Sequence, residues 1–230
     1  MEPVMRNIIV GLALMCLLHC DSALDPSPHF AVLVVQPGPD DGKDTEIWNL
    51  PENSSYAREK GVFDITNFGD KGYFRAATWT YYRTPAIHRG YVQFGLENLP
   101  TGCVIDSAYL FLYSETSNGQ TQMGDNQFYL SRVTTAWEEN ELIWYNQPAV
   151  AGDSLGRDFI IVPPSTSEDQ DYTIDVTSFV RYWNDHPGDN HGLRLSLCKE
   201  EPLARAYFAS SEFENQSRRP KLVVFYTYES

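Results

Sequence analysis

The sequence predicts an all-β chain folded as an antiparallel sandwich or jelly roll with one short helix, and three observations carry that prediction. Roughly a dozen strand-like runs are separated by clusters of Gly, Pro, Asn and Asp, the punctuation of short strands joined by turns. Several runs alternate strictly. Val92, Phe94 and Leu96 are set against Tyr91, Gln93 and Gly95, and Leu193, Leu195 and Leu197 against Arg194, Ser196 and Cys198, so that one face turns inward and the other meets water. The composition agrees: 42% hydrophobic, 13% aromatic and only 21% charged, an aromatic-rich globule and not a disordered chain. At 230 residues the chain suits one large domain, long enough to bury roughly 70% of its unfolded surface without a staple.

The first stretch reads as an address. Arg6 precedes the apolar run Ile8 to Leu18, too short to span a membrane and suited to the apolar region of a signal peptide, so residues 1–19 are expected to leave on export. Leu17-Leu18-His19-Cys20 ends the run on a cysteine, as in a bacterial lipobox, which makes Cys20 the expected lipidation site. His19 departs from the small residue usual there. Cleavage after Ala23 with plain secretion is an alternative, although Asp21 then occupies a position that prefers a small residue; retention of the run as an anchor is another. Residues 20–29 form a polar, proline-bearing tether, and the domain is expected over 30–230. The expected location is extracellular, secreted or held to the bacterial outer membrane by lipid alone.

Along the domain, Ala108 to Tyr113 and Leu222 to Tyr226 are apolar or aromatic on both faces and read as central strands covered on both sides. One helix is expected where Val176, Phe179, Val180 and Trp183 fall at i, i+3, i+4 and i+7. Asp175 or Thr177 is placed to cap it, and Pro187-Gly188 forbids its continuation. Trp183 therefore reads as a core anchor. Cys103 and Cys198 could pair in an exported chain, yet each lies beside apolar strand residues and reads better as a buried thiol. Their spacing gives no zinc pattern.

Seventeen Lys plus Arg stand against 31 Asp plus Glu, a net charge of −14. That balance opposes binding to nucleic acid or to an anionic membrane, which need a basic face. Positive charge nevertheless gathers toward the carboxyl end, at Arg194, Lys199, Arg205, Arg218, Arg219 and Lys221, where an anionic glycan could find a local patch.

Sugar recognition needs flat apolar surfaces beside polar groups. Trp79, Tyr81, Tyr82 and Arg83 lie together before a proline, outside any convincing strand, and could form such a platform; Trp137, Trp144, Tyr145 and Asn146 are a second candidate. The competing explanation for both is packing of loops over the sandwich. Asp40, Asp41 and Asp44 around Gly42 suggest calcium, though the spacing is not that of an EF-hand and a solvated turn explains it as well. His88, Arg89, His191 and many carboxylates supply catalytic group types, but no carboxylate pair stands out from the acidic background. Asn53-Ser54-Ser55 and Asn215-Gln216-Ser217 match the glycosylation acceptor pattern.

Several segments resemble one family in order. They are Gln36 to Asp44; Trp79-Thr80 with Pro85 and Arg89; Val92-Gln93-Phe94; Leu99 to Gly102; Ser107 to Leu110; Arg132 to Glu139 running to Trp144 through Pro148; Asp175-Val176-Thr177 running to Trp183; and Phe208 to Glu212 closing on Arg219 through Val224. Together they resemble the DNRLRE family of secreted β-sandwich modules, similar to carbohydrate-binding module family 96. Arg83 departs from a glycine common in that family, Gly90-Tyr91 from Ser-Leu, and Asn53 to Ala57 is a loose match. The resemblance implies a jelly-roll-like sandwich that binds polysaccharide such as alginate or other plant and algal glycans without cleaving it. Trp137 and Trp144, inside shared motifs, then read as structural, leaving Tyr81, Tyr82, Arg83 and Tyr145 as the better contacts. The partners it implies are polysaccharide and, beside it, glycan-degrading enzymes or other cell-envelope proteins. A structural or protein-interaction module of the envelope is the alternative. A lyase or hydrolase is a further one, against which the paired-Arg, Gln-x-His and Tyr-Phe-Lys signatures of jelly-roll alginate lyases are missing; Arg205-Ala206-Tyr207-Phe208 only echoes them.

Overall fold

In a computed structural model, residues 27–51, 53–152 and 159–229 are described. The leader, Cys20 and most of the tether lie outside them. Eleven strands are present among these residues: β1 (His29–Val35), β2 (Asp44–Asn49), β3 (Tyr73–Tyr81), β4 (Thr84–Val92), β5 (Val104–Leu112), β6 (Phe128–Arg132), β7 (Phe159–Val162), β8 (Tyr172–Asp175), β9 (Leu193–Leu197), β10 (Ala204–Ala209) and β11 (Lys221–Tyr228). Two helices join them, α1 (Ser55–Lys60) and α2 (Thr177–Asp185). All pairings are antiparallel. One sheet runs β1-β11-β5-β8, and the other runs β10-β3-β4-β9-β6-β7 with β2 added on β4. The all-β sandwich expected from the alternation is the fold observed.

The core lies between the sheets. Leu193, Leu195 and Leu197 enter it from β9, as do Phe128 and Leu130 from β6, Leu110 and Leu112 from β5, and Leu222 and Val224 from β11. Helix α2 closes one end with Phe179, Val180 and Trp183, and Trp183 is only 4% exposed, a core anchor as its stripe predicts. Its start is secured otherwise than by a simple cap. Asp175 Oδ1 accepts from Thr177 N at 2.9 Å, while Thr177 Oγ1 accepts from Ala108 N at 2.9 Å and so stitches the helix to β5. Cys103 and Cys198 are free thiols.

Two expectations are corrected. Strands β5 and β11 are central within their sheet, but their outward residues Tyr109, Phe111 and Val223 are only partly covered and Phe225 is 40% exposed. The second apolar face is held by local contacts, with the Tyr109 and Phe225 rings edge to face and Lys221 over Phe111. Trp79 to Arg83 is also not outside the strands: β3 runs through Tyr81 and turns into β4 at once, with Tyr81 paired to Thr84. Tyr82 and Arg83 form that two-residue turn at φ 48° and 71°, the left-handed pair that a hairpin turn of this hand demands and that Asn-Gly fills best. A side chain in that region costs about 1–2 kcal/mol per residue. Arg83→Gly is expected to raise stability by about 0.5–1 kcal/mol, the gain at the turn less the extra unfolded-state freedom of glycine. A urea midpoint at or below that of the wild type would contradict this.

Strand β4 has three neighbours. It pairs with β2 along Ile87–Val92, with β3 along Thr84–His88 and with β9 along Gly90–Val92. A strand has two edges, so β3 and β9 must share the one that β2 does not use. Strand β3 leaves β4 at Gly90, where a Cβ would stand 2.8 Å from a Phe74 ring carbon and 3.1 Å from the Arg75 carbonyl oxygen. Beyond this departure β9 takes up the same edge of β4, and the larger sheet curls.

Candidate functional site

The pleat of β3 sorts its residues. Phe74 and Ala76 enter the core, while Tyr73, Arg75, Ala77, Trp79 and Tyr81 line a groove of about 540 Å³. On the neighbouring strand β10, Arg205 pairs with Ala77 and Tyr207 with Arg75, which sets both on the same face. Trp48 of β2, Tyr56 of α1 and the segment Asn118-Gly119-Gln120 complete the walls. Helix α1, unforeseen in the sequence, brings Tyr56 there. Ser54 Oγ accepts from Ala57 N at 3.3 Å at its start, and Gly61 ends it at φ 66°.

The two guanidiniums of the groove differ in their partners. Arg75 Nε and Nη2 each donate to Glu46 at 2.7 Å, forming a buried two-point ion pair, and Trp48 Nε1 donates to the same carboxylate at 2.6 Å. Burial works to lower the Arg75 pKa, but the charge and hydrogen bonds of Glu46 outweigh it and hold the cation firmly. Arg205 is mostly buried and has no carboxylate partner among the described residues. Its Nε donates to Thr121 O at 2.7 Å, an Nη donates to Gln120 Oε1, and the guanidinium lies 5.1 Å from the Trp79 ring centre. Burial first, then the nearby charge of Arg75, lowers its pKa.

Two tyrosines and the neighbouring histidine are held neutral. Burial pushes Tyr81 up to about 12 and Tyr207 further still. Burial, then Arg75 and Arg205, keeps His88 well below the ordinary histidine value. Tyr81 Oη lies 3.4 Å from His88 Nε2, and Asn118 Nδ2 donates to Tyr207 Oη at 2.6 Å. Near neutral pH the groove thus offers neutral hydroxyl and amide groups, stacked rings and, among the described residues, one cation without a carboxylate partner. The rings form a continuous wall: Trp48 stacks on Tyr81 at 5.4 Å, and Tyr56 packs on Tyr81 at 4.5 Å.

Among the residues singled out from sequence, Trp79 and Tyr81 line this groove. Tyr82 stands at the hairpin tip, 54% exposed, with its ring edge-on to Tyr56 at 5.4 Å, and exposed Arg83 follows it. Tyr145 is elsewhere: it is 71% exposed on a 3-10 turn and donates to Asp64 Oδ2 at 2.6 Å. Trp137 is buried and donates to His191 O at 2.9 Å, while Trp144 is half-buried under the Arg89 guanidinium. Arg75, Tyr73 and Tyr207 were missed, while Arg205 was named only as one of the positive residues toward the carboxyl end. The alternation from Tyr73 to Tyr81 carried the signal for Tyr73 and Arg75.

Asp40 and Asp41 are exposed on a turn where Asp41 Oδ1 accepts from Gly38 N at 2.6 Å. Asp44 is buried elsewhere, accepting from Ser211 N at 3.0 Å and donating from its own N to Glu139 Oε1 at 2.8 Å. Among the described residues no group of three or more His, Cys, Asp or Glu side chains is arranged to hold a metal ion. Burial, then the charge of Glu212, pushes Asp44 well above the ordinary aspartate range. A carboxyl whose folded pKa exceeds its unfolded value favours folding in acid, and that contribution is lost as pH rises through the folded pKa. Asp44→Asn cannot ionise and still accepts from Ser211, so its stability relative to wild type is expected to grow as pH rises from about 4 upward. Urea midpoints at stepped pH check this; a difference constant across the range would contradict it.

A family model described as carbohydrate-binding module family 96 matches residues 51–226, a span that holds every groove residue except Trp48. No match to a curated protein is found.

Proposed function

Since the chain belongs to carbohydrate-binding module family 96, we propose that the groove on β3 and β10 holds an acidic polysaccharide, of the class to which alginate belongs, and does not cleave it. The observation that carries this reading is Arg205, a mostly buried guanidinium without a carboxylate partner among the described residues. A uronate carboxylate would supply the missing charge through paired N–H donors. Trp79 and Tyr81 would flank the C–H faces of the sugar rings, and Asn118, Gln120 and Tyr207 would meet hydroxyls. The protonation of Tyr81, Tyr207 and His88 supports binding without cleavage. Elimination or hydrolysis needs a base and an acid tuned near the working pH. Here burial holds the phenols above that range and the imidazole below it. Exported through the leader and tethered at Cys20, such a module would capture glycan beside the cell for partner enzymes.

Affinity electrophoresis of the full-length protein in gels containing uronate-bearing or neutral polysaccharide tests the reading. Retardation by the acidic polymers, weakening with salt, and no new reducing ends on long incubation are expected. Free migration through every acidic polymer would leave the protein-interaction alternative in its place.

A further inference from the structure

Strand β1 closes one side of the smaller sheet, pairing with β11 without a break from His29 to Val35, and no strand among the described residues pairs with its other edge. A free edge offers a row of N–H and C=O groups to any second strand, and proteins ordinarily blunt it with a charge, a proline or a bulge. Strand β1 carries none of the three: it reads His-Phe-Ala-Val-Leu-Val-Val, and its register against β11 is unshifted. Its outward side chains are apolar and bare. Phe30 is 82% exposed, Val32 51% and Val34 56%, with the exposed Phe225 ring opposite Val32 on β11, while Leu33 and Val35 turn inward to the core. On a chain of net charge −14, a strand without a carboxylate is where another copy meets least repulsion.

We propose that β1 pairs antiparallel with the β1 of a second copy of this chain about a two-fold axis at Val32, so that two four-stranded sheets continue as one. Residues opposite each other in an antiparallel pair point to the same face. The spacing of two therefore makes the strip complementary to itself: Val32 meets the partner's Val32, and Phe30 meets the partner's Val34. One contact then satisfies both the free backbone groups and the bare side chains. A lipid surface would cover the side chains and leave the edge unpaired. The segment before β1 in sequence, Asp21 to Pro28, bears two prolines and no apolar alternation, so it is poorly made to fill that edge.

Sedimentation equilibrium of the full-length protein tests this. The strand gives 7 residues a side, short of the roughly 20–30 of a standard interface, so half of the chains are expected to be paired at roughly 10–100 μM. Val32→Lys and Val32→Glu each set like charges face to face on the axis. Each is expected to weaken association about 100-fold or more and to leave the circular dichroism of the fold unchanged, since Val32 is exposed. An equimolar mixture of the two variants is expected to pair again, because opposite charges then meet. All of these proteins carry the same leader, so association through it would survive the substitutions. A wild type that stays monomeric throughout that range, a single variant that associates like the wild type, or a mixture that stays apart would each overturn the proposal. Binding of a monomeric wild type, but not of Val32→Glu, to phosphatidylcholine vesicles would overturn it in favour of a lipid-facing strand.

Discussion

An Arg205→Gln protein is expected to lose about 30- to 1000-fold of its affinity for a uronate-bearing glycan, the roughly 2–4 kcal/mol that losing one member of a buried charge pair costs. The same substitution should leave the melting temperature within about 2 °C of wild type, since it removes a desolvated cation that no carboxylate among the described residues compensates. That pairing of outcomes is diagnostic. A structural arginine would lose stability and retain whatever affinity survived unfolding, whereas a ligand-facing one loses affinity alone. Titration calorimetry with scanning calorimetry on the same preparation measures both, and unchanged affinity would refute the assignment of Arg205.

Glu46→Ala is expected to do the reverse. Glu46 is fully buried, holds Arg75 through two bonds of 2.7 Å and accepts from Trp48 Nε1 at 2.6 Å. Its removal leaves the Arg75 guanidinium enclosed without a counter-charge, a loss of about 3–5 kcal/mol. For a domain of this size that lowers the melting temperature by about 6–20 °C. Replacing both partners with methionine should recover much of the loss, because a packed apolar pair is often as stable as the ion pair it replaces. If the single and double variants melt alike, the pair is not what stabilises this wall of the groove.

The sandwich was legible because its strands obey a local rule. Leu193, Leu195 and Leu197 alternate in sequence and all three reach the core, and the stripe of Phe179, Val180 and Trp183 docks as its spacing requires. The groove was legible only in part. Trp79 and Tyr81 share a face because they are two residues apart on a pleated strand, but Tyr82, adjacent in sequence, is carried to the tip of the turn. Arg75 and Arg205 meet only through the register of β3 against β10, a pairing that neither segment announces. Asp44 looked like a partner of Asp40 and Asp41, whereas its contacts are Glu139 and Ser211, brought in from distant loops. Such nearness across the chain is fixed by packing and leaves no mark in the spacing of residues. The outward faces of β5 and β11 misled for a related reason: apolar composition cannot tell burial under a layer from rings that cover one another on the surface.

Strand β4 belongs at once to the sandwich interior, through Val92, and to the surroundings of the groove, through its pairing with β2 and β3. If the groove holds the glycan as proposed, a wall that moved to follow its guest would pull β4 against that interior. Such a wall would be set before binding, and the entropy cost of ordering would fall mainly on the sugar chain. Stiff glycans whose resting shape already matches the groove would then be favoured over supple ones bearing the same chemical groups.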